Sequence, residues 1–354
     1  MRRGVKLVLL WTLILSVLVV GGVLVWAEEP TVCTITVEPG QSIQATIDAA
    51  PEGAVICLAK GKWEETIRIT KSLTLRGEGA GYSVIHGTKE DKSVVWVSAP
   101  VGGKDVHVVI DKVTVTGTWG WKTDGIVIDG SAQATITDST IERNGRAGIY
   151  IGNSAQATIE NSTIEGNRWA GIWIWHSARA TITDSTIQGN RHDGIYIWCS
   201  AQATITGSTV KRNEGDGIYI LDSAQATITD SIIEDNEWDG IDIWGTAHAT
   251  IDDCTIKGHD DGIWIWSRGQ ATITNSTITG NVVGISLRNS AQATIEDNKI
   301  TGNERYGVAL TNEPFACYVT GKGNTIPGPD EPDGNEEGAV YPDRLNFLIA
   351  KESE

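Results

Sequence analysis

Carboxylates recur at a fixed distance along this chain. Asp124, Asp193, Asp216, Asp239 and Asp261 each stand immediately before a glycine, and the last four fall in consecutive repeats. If the repeats stack at strand spacing, successive side chains lie ~5 Å apart. Like charges that close raise one another's pKa or recruit a hard cation such as Ca2+, for which Asp193 and Asp216 are the candidate ligands. Carboxylates about 5–9 Å apart are also what glycoside hydrolysis requires, one as acid and one as base or nucleophile. The pattern departs from itself between Thr255 and Trp266, where one residue is deleted, His259 replaces an asparagine, and Asp260-Asp261 follows. Departures of this kind gather at functional sites, so Asp239, Asp242, His259, Asp260 and Asp261 form the candidate catalytic group. Two plainer explanations stand beside it: Asp-Gly is a good turn dipeptide, and repeats decay.

Aromatic residues border these acids. Tyr150, Trp173, Tyr196, Tyr219, Asp242 and Trp264 occupy one position of the repeat, and Trp175, Trp198, Leu221, Trp244 and Trp266 the position two residues on. Together they predict an exposed two-wide strip over five or six repeats, with Trp169 and Trp238 at its flank. Flat rings stack on pyranose rings, and an apolar strip of this size marks an interaction surface. Trp173, Trp175, Tyr196, Trp198, Tyr219, Trp244, Trp264 and Trp266 are the candidate residues for binding a glycan or protein partner. Strand propensity alone also enriches aromatics.

The elements that must position these residues follow from the period. Glycines at 125, 148, 171, 194, 217, 240, 262, 284 and 307 are spaced by 22 or 23 residues, each opening an Ile-x-Ile or related stretch. Every unit holds three short alternating stretches and no sustained helical period. One unit cannot bury its own apolar residues, so units must stack coil on coil, each strand pairing with its copy above and below. The chain reads as all-β, a right-handed single-stranded parallel β-helix of roughly 23-residue coils with an N-terminal capping helix. Alternation points Ile172, Ile174, Ala180, Ile182, Ser185 and Ile187 inward, and Trp173, Trp175, Thr181, Thr183 and Thr186 outward. Asn144, Asn167, Asn190, Asn213, Asn236, Asn281 and Asn303 form a further column. Asparagine tolerates turn backbone and its amide bonds to the next in the stack, which assigns this column a structural ladder.

The ends complete the plan. Arg2, Arg3 and Lys6 precede an apolar run from Leu7 to Trp26, closing on Val25-Trp26-Ala27. A cleaved secretory leader over 1–27 and an uncleaved membrane anchor are both open readings. Either places the folded part outside the cytoplasm, and membrane contact arises only if the leader is retained. Residues 28–120 read as the N-terminal cap and first coils, 121–312 as the regular repeats, and 313–354 as the last coil, an acidic loop and a C-terminal cap near 344–350. Ser42 is placed to cap a short helix presenting Ile43, Ile47 and Ala50, which would cover the first coil. Cys33 and Cys57 sit about one coil apart, and both a disulfide and a pair of buried thiols remain open. Cys254 falls in the column of Ser185, Ser208 and Ser231 and reads as a small buried substitute. The net charge is −17, which excludes nucleic acid as a partner and repels polyuronates unless cations intervene.

The repeats resemble those of the pectate-lyase-like superfamily of right-handed parallel β-helices, a carbohydrate-binding and sugar-hydrolase group. The segment ITVEPGQSIQATIDAAPEGAVICLAKGKWEETIRITKSLTLRGEGAGYSVIHG is similar to the start of secreted NosD-type and pectinesterase-like proteins. The likeness covers most of residues 33–326 and implies the fold far more strongly than any one activity. Lys122-Thr123-Asp124-Gly125 resembles the Asn-Thr-Asp motif of polygalacturonases, and Asp260-Asp261 their paired aspartates. The two motifs lie about six coils apart here instead of one, however, and the downstream Gly-His-Gly and Arg-x-Lys motifs are missing. Arg168, Arg191 and Arg212 lie near the strip without a lyase motif around them. Six scattered His and one Met are a poor set for copper.

The expectation is thus an extracytoplasmic β-helix that engages a polysaccharide or surface partner through its Trp/Tyr strip without catalysis, with Ca2+ as the one cofactor to consider. A polysaccharide hydrolase or lyase built on the acidic patch is the alternative. A lesser one is an ice-binding solenoid, suggested by the outward pairs Thr135/Thr137, Thr181/Thr183, Thr204/Thr206, Thr227/Thr229 and Thr272/Thr274. Glu160, Asp252 and Glu296 interrupt the second of those columns.

Overall fold

The structure is a computed structural model that describes residues 32–88, 92–100, 102, 104–117, 123–311, 317–328, 334–335 and 338–341. The chain forms two units, Met1–Val32 and Cys33–Glu354, and the description concerns the second. The leader over 1–27, the cap near 344–350 and Lys122 lie outside the described residues.

Each coil contributes three strands, as in Ile172–Ile174, Arg179–Thr183 and Thr186–Gln188. Every strand pairs in parallel with its counterpart one coil away: Ile172↔Ile195, Ala180↔Ala203, Ile187↔Val210. The strands assemble into three parallel sheets of 12, 13 and 11 members. The result is a right-handed parallel β-helix with, among the described residues, one short α-helix, Ile43–Ala49.

Register makes the core. Because like residues stack on like, Ile172, Ile174, Ile182 and Ile187 are wholly buried and Ala180 nearly so. Each buried Ile contributes about 2–3 kcal/mol, and no coil could collect that alone. The repeat glycine is fixed by crowding. A Cβ on Gly217 would come 2.5 Å from the Gly240 carbonyl oxygen and 2.8 Å from the Asn236 amide nitrogen.

Two polar columns hold the turns. Asn167 Oδ1 accepts from the backbone N–H and side-chain amide of Asn144, both at 3.0 Å. Its own amide donates to Asn190 Oδ1 at 2.9 Å and to the Ile141 carbonyl. The same linkage joins Asn190, Asn213 and Asn236, resumes between Asn281 and Asn303, and reaches Asn335. In the second column, Ser185 Oγ accepts from the Ser162 N–H and donates to the Thr183 carbonyl. Cys254 takes this place, contacting the Asp252 and Ile228 carbonyls, and burial pushes its thiol up to about 11.

The first coils are tied down twice. Ser42 Oγ caps the helix by accepting from the Ala45 N–H, and the Glu65 carboxylate accepts from the Ile43 and Gln44 N–H groups and the Ser42 hydroxyl. Ile43 and Ile47 turn into the core. Cys33 and Cys57 form a disulfide, which settles the open choice at that pair.

Candidate functional site

The candidate residues lie on the 12-stranded sheet, because the glycine of each coil opens one of its strands. Pairing stacks Tyr150, Trp173, Tyr196, Tyr219, Asp242 and Trp264 in one outward column. The strip predicted as exposed is in fact half-buried at Trp173, Trp175, Tyr196, Trp198, Tyr219, Trp244, Trp264 and Trp266. Trp173 meets Tyr150 and Trp169 edge-on at 4.9 and 4.7 Å. Trp264 and Trp266 instead lie 5.6 Å apart with planes 8° from parallel, and Trp244 stacks on Trp266 at 5.6 Å and 22°. Trp238 stands out at 51% exposure. Trp198 Nε1 donates to Asp222.

The carboxylate column is buried beneath this edge. Asp193 is fully covered, and Asp216, Asp239 and Asp242 nearly so. The Oδ1 atoms of Asp193, Asp216 and Asp239 accept the backbone N–H groups of Asp216, Asp239 and Asp261 respectively, at 2.9–3.0 Å. The acids therefore serve as the coil-to-coil link that asparagine serves one turn earlier. Burial pushes Asp216 up to about 8, with Asp193 and Asp239 adding to it. The same cause brings Asp239 to about 7, Asp242 to about 9 and Asp261 to about 6. His192 Nδ1 lies 2.8 Å from Asp193 Oδ2, an ion-pair contact without hydrogen-bond alignment, and Asp193 holds this imidazole above its ordinary pKa. At the N-terminal end Asp124 is paired instead with the Arg146 guanidinium.

Asp239, Asp242, Asp260 and Asp261 come together, each acting electrostatically on at least one of the others. His259 does not join them. It occupies the asparagine ladder inside the turn: Nε2 contacts the Asn236 amide and Nδ1 contacts Asn281 Oδ1, both at 3.1 Å. An amide donor on one side and an amide oxygen on the other fix a neutral imidazole protonated at Nδ1. Burial pushes its pKa down to about 4, and the carboxylates acting on it are Asp235 and Glu234. His259 is thus a ladder residue, held apart from the patch that its sequence position suggested.

Where the repeat shortens, the strand starts two residues earlier, at Asp261 and not at the isoleucine after the glycine, and a cavity of about 270 Å³ opens beside it. Its lining includes Asp260, Asp261, Ser286, Arg288, Arg305 and Tyr306. Ser286 Oγ donates to Asp261 Oδ1 at 2.8 Å, and the Arg288 guanidinium sits 5.8 Å from the Trp264 ring. The sequence reading missed Ser286, Arg288, Arg305 and Tyr306. Their signal was the change of the two outward columns from aromatic to Ser286 and Arg288 in the coil after the shortened turn. No group of three or more His, Cys, Asp or Glu among the described residues is arranged to hold a metal ion. Asp193 and Asp216 each commit an oxygen to a backbone N–H, which leaves that pair short of a Ca2+ ligand shell.

On the 13-stranded sheet, Thr135, Thr158, Thr181, Thr204, Thr227, Thr250, Thr272, Thr294 and Thr320 stack without interruption. Asp252, Glu160 and Glu296 break the neighbouring column, and Asp252 accepts from Thr274 and Asn275. No helix among the described residues is long and apolar enough to cross a membrane.

Comparison with known proteins places this geometry. No curated protein matches the chain. Among solved structures, the A-module of the Azotobacter vinelandii mannuronan C-5 epimerase AlgE4 superposes with a TM-score of 0.66 at 16% identity, over 88% of this chain and 95% of that one. The periplasmic alginate epimerase AlgG gives 0.61 at 13%, over 89% and 82%. The catalytic unit of a GH87 α-1,3-glucanase from Streptomyces thermodiastaticus gives 0.57 at 18%, over 84% and 70%. At these identities the likeness is one of fold. The profile of the right-handed beta helix region matches residues 124–270 and 238–328, together more than half of the chain. The chain belongs to the right-handed β-helix family.

Proposed function

We propose that this protein binds a polysaccharide along the 12-stranded sheet, outside the cytoplasm. The observation that carries the reading is the Trp244–Trp266–Trp264 platform, with planes within 22° and 8° of parallel. Stacked near-parallel rings brace one another and leave the outer face and the edges of the stack, half-exposed, for a sugar to pack against. The cavity lined by Asp260, Ser286, Arg288 and Arg305 adjoins the platform and supplies hydrogen-bonding groups for hydroxyls. The superposable proteins carry names of enzymes acting on mannuronan, alginate and α-1,3-glucan, which supports a carbohydrate ligand. The test is retention on a panel of immobilised polysaccharides. Wild-type protein is retained on at least one, and replacing Trp264 and Trp266 together by Ala weakens retention about tenfold or more. Unchanged retention in that variant would remove the basis of the reading.

A second reading rests on Asp261. Its carboxyl, pushed up to about 6, lines the same cavity as the exposed Asp260, and an acid poised there beside a second carboxylate is suited to proton transfer. New reducing ends, or absorbance from an unsaturated uronide, lost in Asp261→Asn, would replace simple binding by hydrolysis or lysis.

A further inference from the structure

The aromatic face is interrupted at one place. Ring contacts run from Trp169 through Trp173, Trp175 and Trp198 to Tyr196 and Tyr219, and resume among Trp244, Trp264 and Trp266. No ring contact among the described residues joins Tyr219 to the second group. Between them lies Asp242, whose Cα partners are Tyr219 on one side and Trp264 on the other. Tyr219 and Trp264 are two coil spacings apart, about 10 Å, and the one residue of the column between them is Asp242.

Asp242 differs from the other acids in what its oxygens do. Asp193, Asp216 and Asp239 each accept a backbone N–H. Asp242 is 8% exposed, and its buried Oδ1 accepts no hydrogen bond. No Lys, Arg or His pairs with it among the described residues. A buried carboxylate oxygen without a donor costs several kcal/mol, and its neighbours Asp216 and Asp239 add negative charge instead of relieving it. What would satisfy it is a donor that brings positive charge. A metal ion fits poorly, because no set of three ligands is assembled. An ammonium fits better: it donates to the carboxylate, and the aromatic residues Tyr219 and Trp264 stand one coil away on either side.

We infer that the break at Asp242 is a subsite for the ammonium of an unacetylated amino sugar. The inference rests on the glycan-binding reading and names the glycan's chemical class. The net charge of −17 favours the same class, drawing a cationic polymer and repelling an anionic one. The ligand makes the subsite ionise: the charges facing Asp242 are those of Asp193, Asp216, Asp239 and Asp261, and all of them disfavour a second free anion there. Binding of the ammonium is therefore accompanied by release of a proton from the cluster.

The experiment is calorimetric titration of the purified protein with β-1,4-linked glucosamine oligomers, their N-acetylated counterparts and neutral cello-oligomers, in two buffers of different ionisation enthalpy. The expected result is binding about tenfold tighter to the amine than to the acetylated oligomer, with proton release that differs between the buffers. Asp242→Asn abolishes that preference, bringing the amine and acetylated oligomers to equal affinity. Tyr219→Leu keeps the carboxylate and loses part of the preference, about threefold. Equal affinity for amine and acetylated forms, or a preference that survives in Asp242→Asn, overturns the subsite while the glycan-binding reading stands. Failure of all three oligomer classes to bind overturns both.

Discussion

At the residue scale, the buried ionisable groups dictate how stability responds to pH, and they act in opposite directions. Asp216, Asp239, Asp242 and Asp261 have folded pKa values of about 8, 7, 9 and 6, all above the ordinary 3.8. A carboxyl raised by folding stabilises the fold fully below its unfolded value, and that contribution is lost as pH rises through the folded value. The protein should therefore lose stability progressively from about pH 4 to 9, by an amount on the order of a few kcal/mol per group. Asp242→Asn should raise the melting temperature at pH 9 and change it little at pH 5; equal melting curves at the two pH values would show that these carboxyls are ionised in the fold. His259 pulls the other way. Its folded value of about 4 lies below the ordinary 6.5, so its contribution is present above 6.5 and is lost as pH falls through about 4. His259→Asn restores the ladder amide and should gain about 1–2 kcal/mol near pH 4, read from urea midpoints across pH. No gain there would mean that the imidazole already titrates normally. Sequence spacing put His259 both in the asparagine column and beside Asp260 and Asp261, and could not say which of the two its ring joins. Alternation assigns faces along a strand and says nothing once the chain leaves it.

At the element scale, the ladder and the repeat glycine are where a single atom matters. Asn190 accepts from the Asn167 N–H and amide and donates to Asn213 Oδ1 and the Ile164 carbonyl. Asn190→Ala strands buried donors on one side and buried acceptors on the other, a loss of about 2–4 kcal/mol, measurable by chemical denaturation. An effect below about 0.5 kcal/mol would mean the turn closes without the amide. Gly217→Ala tests the other contact, since its Cβ would sit 2.5 Å from the Gly240 carbonyl. The coils must part locally, at a cost of about 1–3 kcal/mol. These elements were legible because the period carries them: a column of one residue type states both the strand and its stacking partner. The aromatic strip was legible as a column and not as a surface. Whether a ring stands free, as Trp238 does, or lies edge-on to a neighbour, as Trp173 does to Tyr150, depends on side-chain torsions. Ser286, Arg288, Arg305 and Tyr306 escaped notice for a related reason. They line their cavity only because the turn before Asp261 is one residue short, and what a deletion opens is set by backbone geometry.

At the scale of the whole molecule, a solenoid presents its face as a line, and a line measures length. The half-buried strip from Trp173 to Trp266 crosses five coils, about 24 Å at the coil spacing, and ends at the cavity lined by Arg288 and Arg305. A ligand that runs along it should gain contact with each added sugar until it spans the strip. Affinity should accordingly rise with oligosaccharide length up to about five units and then level off, because beyond it the columns pass to the buried Tyr150 at one end and to Ser286 and Arg288 at the other. A ligand confined to the cavity would level off at one or two units. The two outcomes are separated by titrating a length series against the protein, and again after Trp175→Ala and Trp198→Ala at the far end. In the line geometry these changes leave short oligomers unaffected and bring the plateau down to the shorter length. Equal weakening of short and long oligomers would point instead to one compact site. Salt distinguishes the contributions further. Stacking on rings is insensitive to ionic strength, whereas the pull of a surface with net charge −17 is screened within about 8–10 Å. The length dependence should thus survive in high salt even where absolute affinity for a cationic glycan falls.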